Sequence, residues 1–237
     1  MAEQHGIGIA SRALDQNIVS TTPIAQCVAN RQPALDLRVR RWQRGEYIVR
    51  AGDAFRAIHL LTVGSVKAYR IGVHGRHQIT AFYLAEDVLG LDAIDGKPHP
   101  TFIEALEDCT TIEVPLRGLD ATSLDRGALQ GALIRQLAHE LKREQQLALM
   151  LGATTAEERL AVFLLDLGRR YSERGYSPRE FVLRMTREEI ANHLGLTLET
   201  VSRALSKFRR DGALDVDGRR VRICDSDRLS RIAARAA

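Results

Sequence analysis

Residues 186–210 read TREEIANHLGLTLETVSRALSKFRR, two short amphipathic segments on either side of Gly195. No other stretch constrains the fold as tightly. At 100° per residue, Val201, Leu205 and Phe208 share one side of the second segment, while Glu199, Arg203, Ser206 and Arg210 share the other. Such a helix buries one face in a small domain and offers Arg and Glu to solvent. Arg can bond guanine O6 and N7 bidentately, and a carboxylate can accept from cytosine N4. The pattern predicts a helix-turn-helix that reads base edges in a DNA major groove. Thr186 is placed to cap the first helix, with Glu188 and Glu189 favourable in its first turn.

The flanks extend this unit. Downstream, ALDVDGRRVRI alternates around Asp217 and Gly218, a hairpin signal that turns the helix pair into a winged helix-turn-helix. Upstream, Thr155 and Glu158 have capping-box spacing ahead of a helix with Leu160, Phe163, Leu164 and Leu167 on one face. Residues 174–181 then read as a loop, and FVLRM as a short strand. Charge follows the same division. From Met150 onward 17 Lys/Arg stand against 13 Asp/Glu, whereas residues 1–149 balance 17 against 17. A basic excess on the helix pair suits a polyanion partner.

Between Trp42 and Pro115 the pattern changes to short β-type runs, EYIVR, AIHLLTV, SVKAYRI, HQITAFYL and TTIEVP, separated by Gly and Asp turn signals. Regular turns between short strands predict a small antiparallel barrel or jelly roll. A long helical pattern follows over residues 119–151. Its Leu133, Leu137, Leu141 and Leu147 have heptad-like spacing that predicts a dimer seam, with packing on its own barrel as the alternative. The fold class is α+β: an N-terminal arm (1–34), a barrel (35–118), a dimerisation helix (119–151) and a winged helix-turn-helix (152–237).

Several function classes are disfavoured. No apolar run approaches the roughly 20 residues that cross a bilayer, and the first residues do not read as a secretory signal. Cys27, Cys109 and Cys224 are far apart and odd in number, as in a reducing cytoplasm, and their spacing builds no metal site. An enzyme in the barrel would need clustered His and carboxylate ligands, yet His59, His74, His77 and His99 are scattered. The expectation is a cytoplasmic DNA-binding regulator that is not an enzyme. A protein-binding module remains the competitor.

The order of barrel, long helix and C-terminal winged helix resembles the CRP/FNR family of bacterial transcription regulators, and within it the FNR branch. The phrases KAYRIGVHGRHQITAFYLAEDVLGLDAI, AEERLAVFLLDLGRRY, GYSPREFVLRMTREEIANHLGLTLETVSRAL and DGAL carry the likeness, which runs from about residue 42 to 225. The resemblance implies a homodimer that binds a palindromic TTGAT/ATCAA-type site on double-stranded DNA and contacts RNA polymerase. It implies base contacts by Glu199 and Arg203. Ser202 falls at the position that separates the FNR branch from the cyclic-AMP branch. Leu198 stands where FNR members often have Val, and can touch a thymine methyl. Thr186, Thr197 and Ser206 complete the expected DNA-binding set. His74, Arg76 and His77 match a hairpin that touches the polymerase. Glu144 matches an acidic position on the dimer helix.

Departures from the family bear on the input signal. The FNR branch holds a four-iron cluster on about four thiolates, an N-terminal trio and one in the barrel. Here the N-terminal segment offers Cys27 alone, and the barrel ligand position falls on Ile112, three places after Cys109. Where cyclic-nucleotide members hold the phosphate with an Arg and a Ser or Thr, this chain has Pro100 and Thr101. The expectation is therefore no iron–sulfur cluster and no cyclic AMP, as in FixK-like or DNR-like members. Haem or another small ligand gating DNA binding is left open, with His74, His77 and His99 as scattered possible ligands. No metal site is expected, and Cys109 reads as a small core residue before it reads as a redox switch.

Overall fold

The computed structural model describes residues 37–115, 126–153 and 155–234, in two compact units that divide after Leu141. The first unit has eight strands, of which the second, third, fourth, fifth and eighth fall on the five predicted β-type runs and the other three were not expected. They are β1 (Arg38–Trp42), β2 (Tyr47–Val49), β3 (Ala57–Val63), β4 (Ser65–Ile71), β5 (His77–Leu84), β6 (Val88–Leu89), β7 (Phe102–Ala105) and β8 (Cys109–Pro115). They form two four-stranded antiparallel sheets, ordered β1-β8-β3-β6 and β2-β7-β4-β5, the two-sheet roll that alternating short strands call for. Val66, Ala68, Ile103 and Ala105 from one sheet pack with Leu61, Leu89 and Cys109 from the other. The β3–β4 turn needs its glycine twice over. Gly64 has φ +93°, and a Cβ there would lie 2.6 Å from the Cys109 sulfur.

A 28-residue helix, α1 (Arg126–Ala153), follows the roll. Its Ala132 and Leu133 are buried with Ile58, Leu60, Ile112 and Val114, and Leu137 packs on the same cluster. This corrects the expected seam. Leu133 and Leu137 are core contacts of their own unit, because the helix needs an apolar stripe toward the sheet as well as any toward a partner. Leu141, the third expected seam residue, is exposed (56%), as are Ile134 (65%), Leu149 (74%) and Leu151 (38%). Glu144 is exposed and Leu147 half-buried. Tyr83 on β5 donates to the Glu140 carboxylate, a half-buried polar tie between roll and helix.

In the second unit lie α2 (Ala156–Glu173), β9 (Glu180–Val182), α3 (Arg187–Leu194), α4 (Leu198–Arg210), β10 (Leu214–Asp217), β11 (Arg220–Ile223) and α5 (Ser226–Ala233). The three strands make one antiparallel sheet, β10-β11-β9. Gly218 (φ +57°) opens the two-residue turn between β10 and β11, the hairpin expected there. Leu160, Leu164, Ile190, Leu194, Val201, Phe208, Leu214, Val221 and Leu229 are all at most 2% exposed and Phe181 is 6% exposed, so every element contributes a buried apolar side chain. Among the described residues, no helix is long and apolar enough to cross a membrane.

Candidate nucleic-acid interface

Three capped helices present the interface. Thr155 caps α2 in a capping box with Glu158, and Thr186 caps α3 in a second box with Glu189. In each box the threonine hydroxyl accepts the third backbone N–H, and the glutamate accepts the threonine N–H. Gly195 ends α3 in the left-handed region (φ +61°) and turns the chain by a sharp angle into α4. The Arg159 guanidinium donates to the carbonyls of Leu194 (3.0 Å) and Leu151 (3.1 Å), tying down two helix ends. Thr197 caps α4 by accepting from Thr200 N–H at 3.2 Å.

Helix α4 divides as its sequence predicts. Val201, Ala204, Leu205 and Phe208 are buried at 0–5% exposure. Glu199, Arg203, Ser206, Lys207 and Arg210 are exposed, Ser202 is half-buried and Leu198 is 43% exposed. Among the described residues no salt bridge joins Glu199 to Arg203. The Arg203 guanidinium rests instead 3.5 Å from the Thr200 hydroxyl. The Glu199 carboxyl is held below its ordinary range by its own backbone N–H and by the Thr197 hydroxyl, with the Arg203 charge a smaller contribution. It is an anion ready to accept. Ser206 donates back to the Ser202 carbonyl at 2.9 Å, so its hydroxyl is partly committed to the helix. Thr186 and Thr197 spend their acceptor capacity on caps.

A groove of about 590 Å3 runs along α4 beside the first turn of α2, lined by Glu157, Thr200, Arg203, Ser206, Lys207 and Arg210 among others. The sequence reading left Glu157, Thr200 and Lys207 out of the site. Lys207 and Arg210 do extend the Arg203 face at helical spacing, which was the available signal. Glu157 lies 50 positions away from Lys207, and nothing in spacing joins the two.

The other expected sites sit in the first unit. His74, Arg76 and His77 are exposed in the β4–β5 hairpin, where Gly72 N–H donates to the Arg76 carbonyl at 2.9 Å. The His77 ring stacks on Tyr69 at 5.1 Å, and Val73 at the tip is fully exposed. Thr101 is buried and donates to the Asp92 carboxylate, which also meets His99 Nδ1 at 2.9 Å. At the positions of the expected phosphate pair the chain thus satisfies its own groups. His74, His77 and His99 are not brought together. Among the described residues, no three His, Cys, Asp or Glu side chains group to hold a metal ion.

The two units are a winged-helix DNA-binding module and a cyclic-nucleotide-binding-type roll. The Crp-like helix-turn-helix domain model matches residues 158–232, and the cyclic nucleotide-binding domain model matches 39–123. The chain is 42% identical over 194 residues to the fumarate nitrate reduction regulatory protein of Klebsiella oxytoca, covering 82% of this chain and 78% of that protein. Its identity to the fumarate and nitrate reduction regulatory protein of Vibrio cholerae serotype O1 is 43% over 191 residues, covering 81% and 76%. Among solved structures, FixK2 from Bradyrhizobium japonicum superposes with a TM-score of 0.75 at 32% identity, over 84% of this chain and 98% of that one. The chain belongs to the CRP/FNR family of transcription regulators.

These relatives also correct the expectation about cofactors. They are FNR regulators, the branch whose input the resemblance ties to a four-iron cluster, so setting the cluster aside and grouping the chain with FixK-like members does not stand. The described residues do not themselves fit that group. Cys109 is buried, donates its thiol proton toward the carbonyls of Glu107 (3.0 Å) and Ser65 (3.3 Å), and is pushed up to about 11 by burial. It is a thiol where a ligand must be a thiolate. Ile112, at the expected ligand position, is a core side chain. Cys224 is exposed, and Cys27 lies outside the described residues, as does the expected arm.

Proposed function

We propose that the chain is a cytoplasmic, homodimeric regulator that reads TTGAT/ATCAA-type half-sites with Leu198, Glu199, Ser202 and Arg203. The observation that carries this is the division of α4, with Val201 and Phe208 at 0% exposure behind an open face of Glu199 and Arg203. The first turns of a recognition helix enter the major groove. There the exposed Arg203 suits guanine O6 and N7, Glu199 suits cytosine N4, and the exposed Leu198 suits a thymine methyl. Thr186 and Thr197 act first as caps and second as phosphate neighbours.

Dimerisation uses the exposed stripe of α1. Ile134, Leu141 and Ala148 recur every seven residues, with Ala138 and Gln145 between them, a coiled-coil seam that leaves Leu133 and Leu137 to the roll. Glu144 flanks this stripe. The β4–β5 hairpin with His74, Arg76 and His77 is the RNA polymerase contact, its exposed Val73 and rigid His77–Tyr69 stack suiting a protein surface. The test is fluorescence anisotropy with a duplex bearing both half-sites, against the same duplex with one half-site scrambled. A dimer reading both loses most of its specific affinity on the second duplex. Equal binding to the two contradicts the proposal.

A further inference from the structure

The charged residues that line the groove beside α4 are basic apart from one. Arg203, Lys207 and Arg210 line it, and the only carboxylate among its lining residues is Glu157, in the first turn of α2. That carboxylate is not idle. Both of its oxygens lie 2.7 Å from the Lys207 ammonium, with the two side chains 38% and 46% exposed. Among the described residues, Lys207 is the one lining cation with a salt-bridge partner. The neighbouring Glu158 is already occupied by its capping box.

Lys207 lies nine residues beyond Leu198, about 13 Å further along the helix axis. A recognition helix reads bases with its first turns, so a cation that far along faces the sugar–phosphate backbone. A phosphate approaching Lys207 meets a carboxylate that already holds it. If the pair stays closed, Lys207 neutralises no phosphate. If it opens, the freed Glu157 carboxylate stands beside the DNA and repels it. Either way Glu157 cancels one cation.

We propose that Glu157 is a built-in competitor for DNA phosphate at Lys207, so that each protomer binds duplex with one effective cation fewer than its interface displays. Glu157 thereby acts as a positioning residue that holds down sequence-independent affinity and leaves base reading to Glu199 and Arg203. The proposal rests on the DNA-binding reading above.

The test is the salt dependence of duplex binding by full-length protein, as wild type, Glu157→Gln, Lys207→Gln and the double variant, on a half-site palindrome and on a scrambled duplex. Each phosphate contact contributes a slope of about −0.9 in log K against log salt. Glu157→Gln steepens the slope by about 0.9 per protomer, or about 1.8 per dimer, equally on both duplexes. Its affinity relative to wild type therefore grows about tenfold as salt falls from about 200 to about 50 mM. The double variant returns to the wild-type slope, and Lys207→Gln alone is shallower than wild type. An unchanged slope with weaker binding by Glu157→Gln overturns the proposal, since Glu157 then presents Lys207 to the phosphate. Parallel loss of affinity and melting temperature at unchanged slope also overturns it, leaving a structural strut. Wild-type protein that binds no duplex at any salt overturns the DNA-binding reading itself, and the proposal falls with it.

Discussion

Replacing Arg203 with alanine isolates base reading from folding. The side chain is exposed, has no salt-bridge partner among the described residues, and meets the Thr200 hydroxyl at 3.5 Å, the outer limit of a hydrogen bond. Little folded-state energy is lost with it. Alanine is the best helix former, and an exposed substitution of this kind changes stability by no more than about 0.5 kcal/mol. The loss falls on DNA. A bidentate guanine contact is worth about 1–3 kcal/mol per half-site, so a dimer loses about 2–6 kcal/mol, roughly 30-fold to 10⁴-fold in affinity. Fluorescence anisotropy at fixed salt on the palindrome, on a palindrome changed at the contacted G·C pair, and on scrambled duplex separates the contributions. Affinity should fall steeply on the first and little on the other two, with an unchanged melting temperature. An equal fall on all three would refute base reading and leave Arg203 as a phosphate contact.

Other perturbations probe the scaffold. Gly195→Ala forces a Cβ into the left-handed region, and that Cβ would also sit 3.2 Å from Leu151 Cδ2. The cost is about 1–2 kcal/mol in urea unfolding, and Gly195→Asn should recover part of it. Leu141→Ser removes an exposed seam side chain from both protomers, which weakens the dimer by about 2–3 kcal/mol, near 100-fold, as read by sedimentation equilibrium. An unchanged dimer would exclude that stripe as the seam. His59 is lowered from 6.5 to about 4, first by burial, and its Nδ1 has no hydrogen-bond partner among the described residues. The unfolded chain therefore takes up a proton between those pH values that the folded chain refuses. Stability is full above pH 6.5 and falls by roughly 3 kcal/mol as pH drops to 4. His59→Gln should flatten urea stability across that window, and an unchanged slope would contradict the assignment.

How much of this was legible beforehand differs by element. AIHLLTV, SVKAYRI and HQITAFYL coincide with β3, β4 and β5 because short runs rich in apolar, β-branched and aromatic residues between turn signals leave little choice. The helix pair was equally plain, since its caps are local and its apolar face is complete. β1, RVRRW, escaped notice because an edge strand keeps three exposed arginines and shows no apolar alternation. Leu133 and Leu137 pack on the roll where a seam was expected, for a different reason. Periodicity finds apolar stripes but cannot say which one the chain's own roll covers, and Leu133 and Ile134 lie only 100° apart. The Glu157–Lys207 contact depends on how α2 packs beside α4, so no local spacing reports it.

The central claim is that α4, presented twice by a dimer, reads a defined palindrome. Selection of bound duplexes from a random pool, at a salt concentration that suppresses phosphate-only binding, addresses it most directly. The account predicts enrichment of TTGAT and ATCAA half-sites in inverted orientation at fixed spacing, lost in the Arg203→Ala protein. A pool that stays random, or one enriched for a motif that Arg203→Ala still selects, would contradict it.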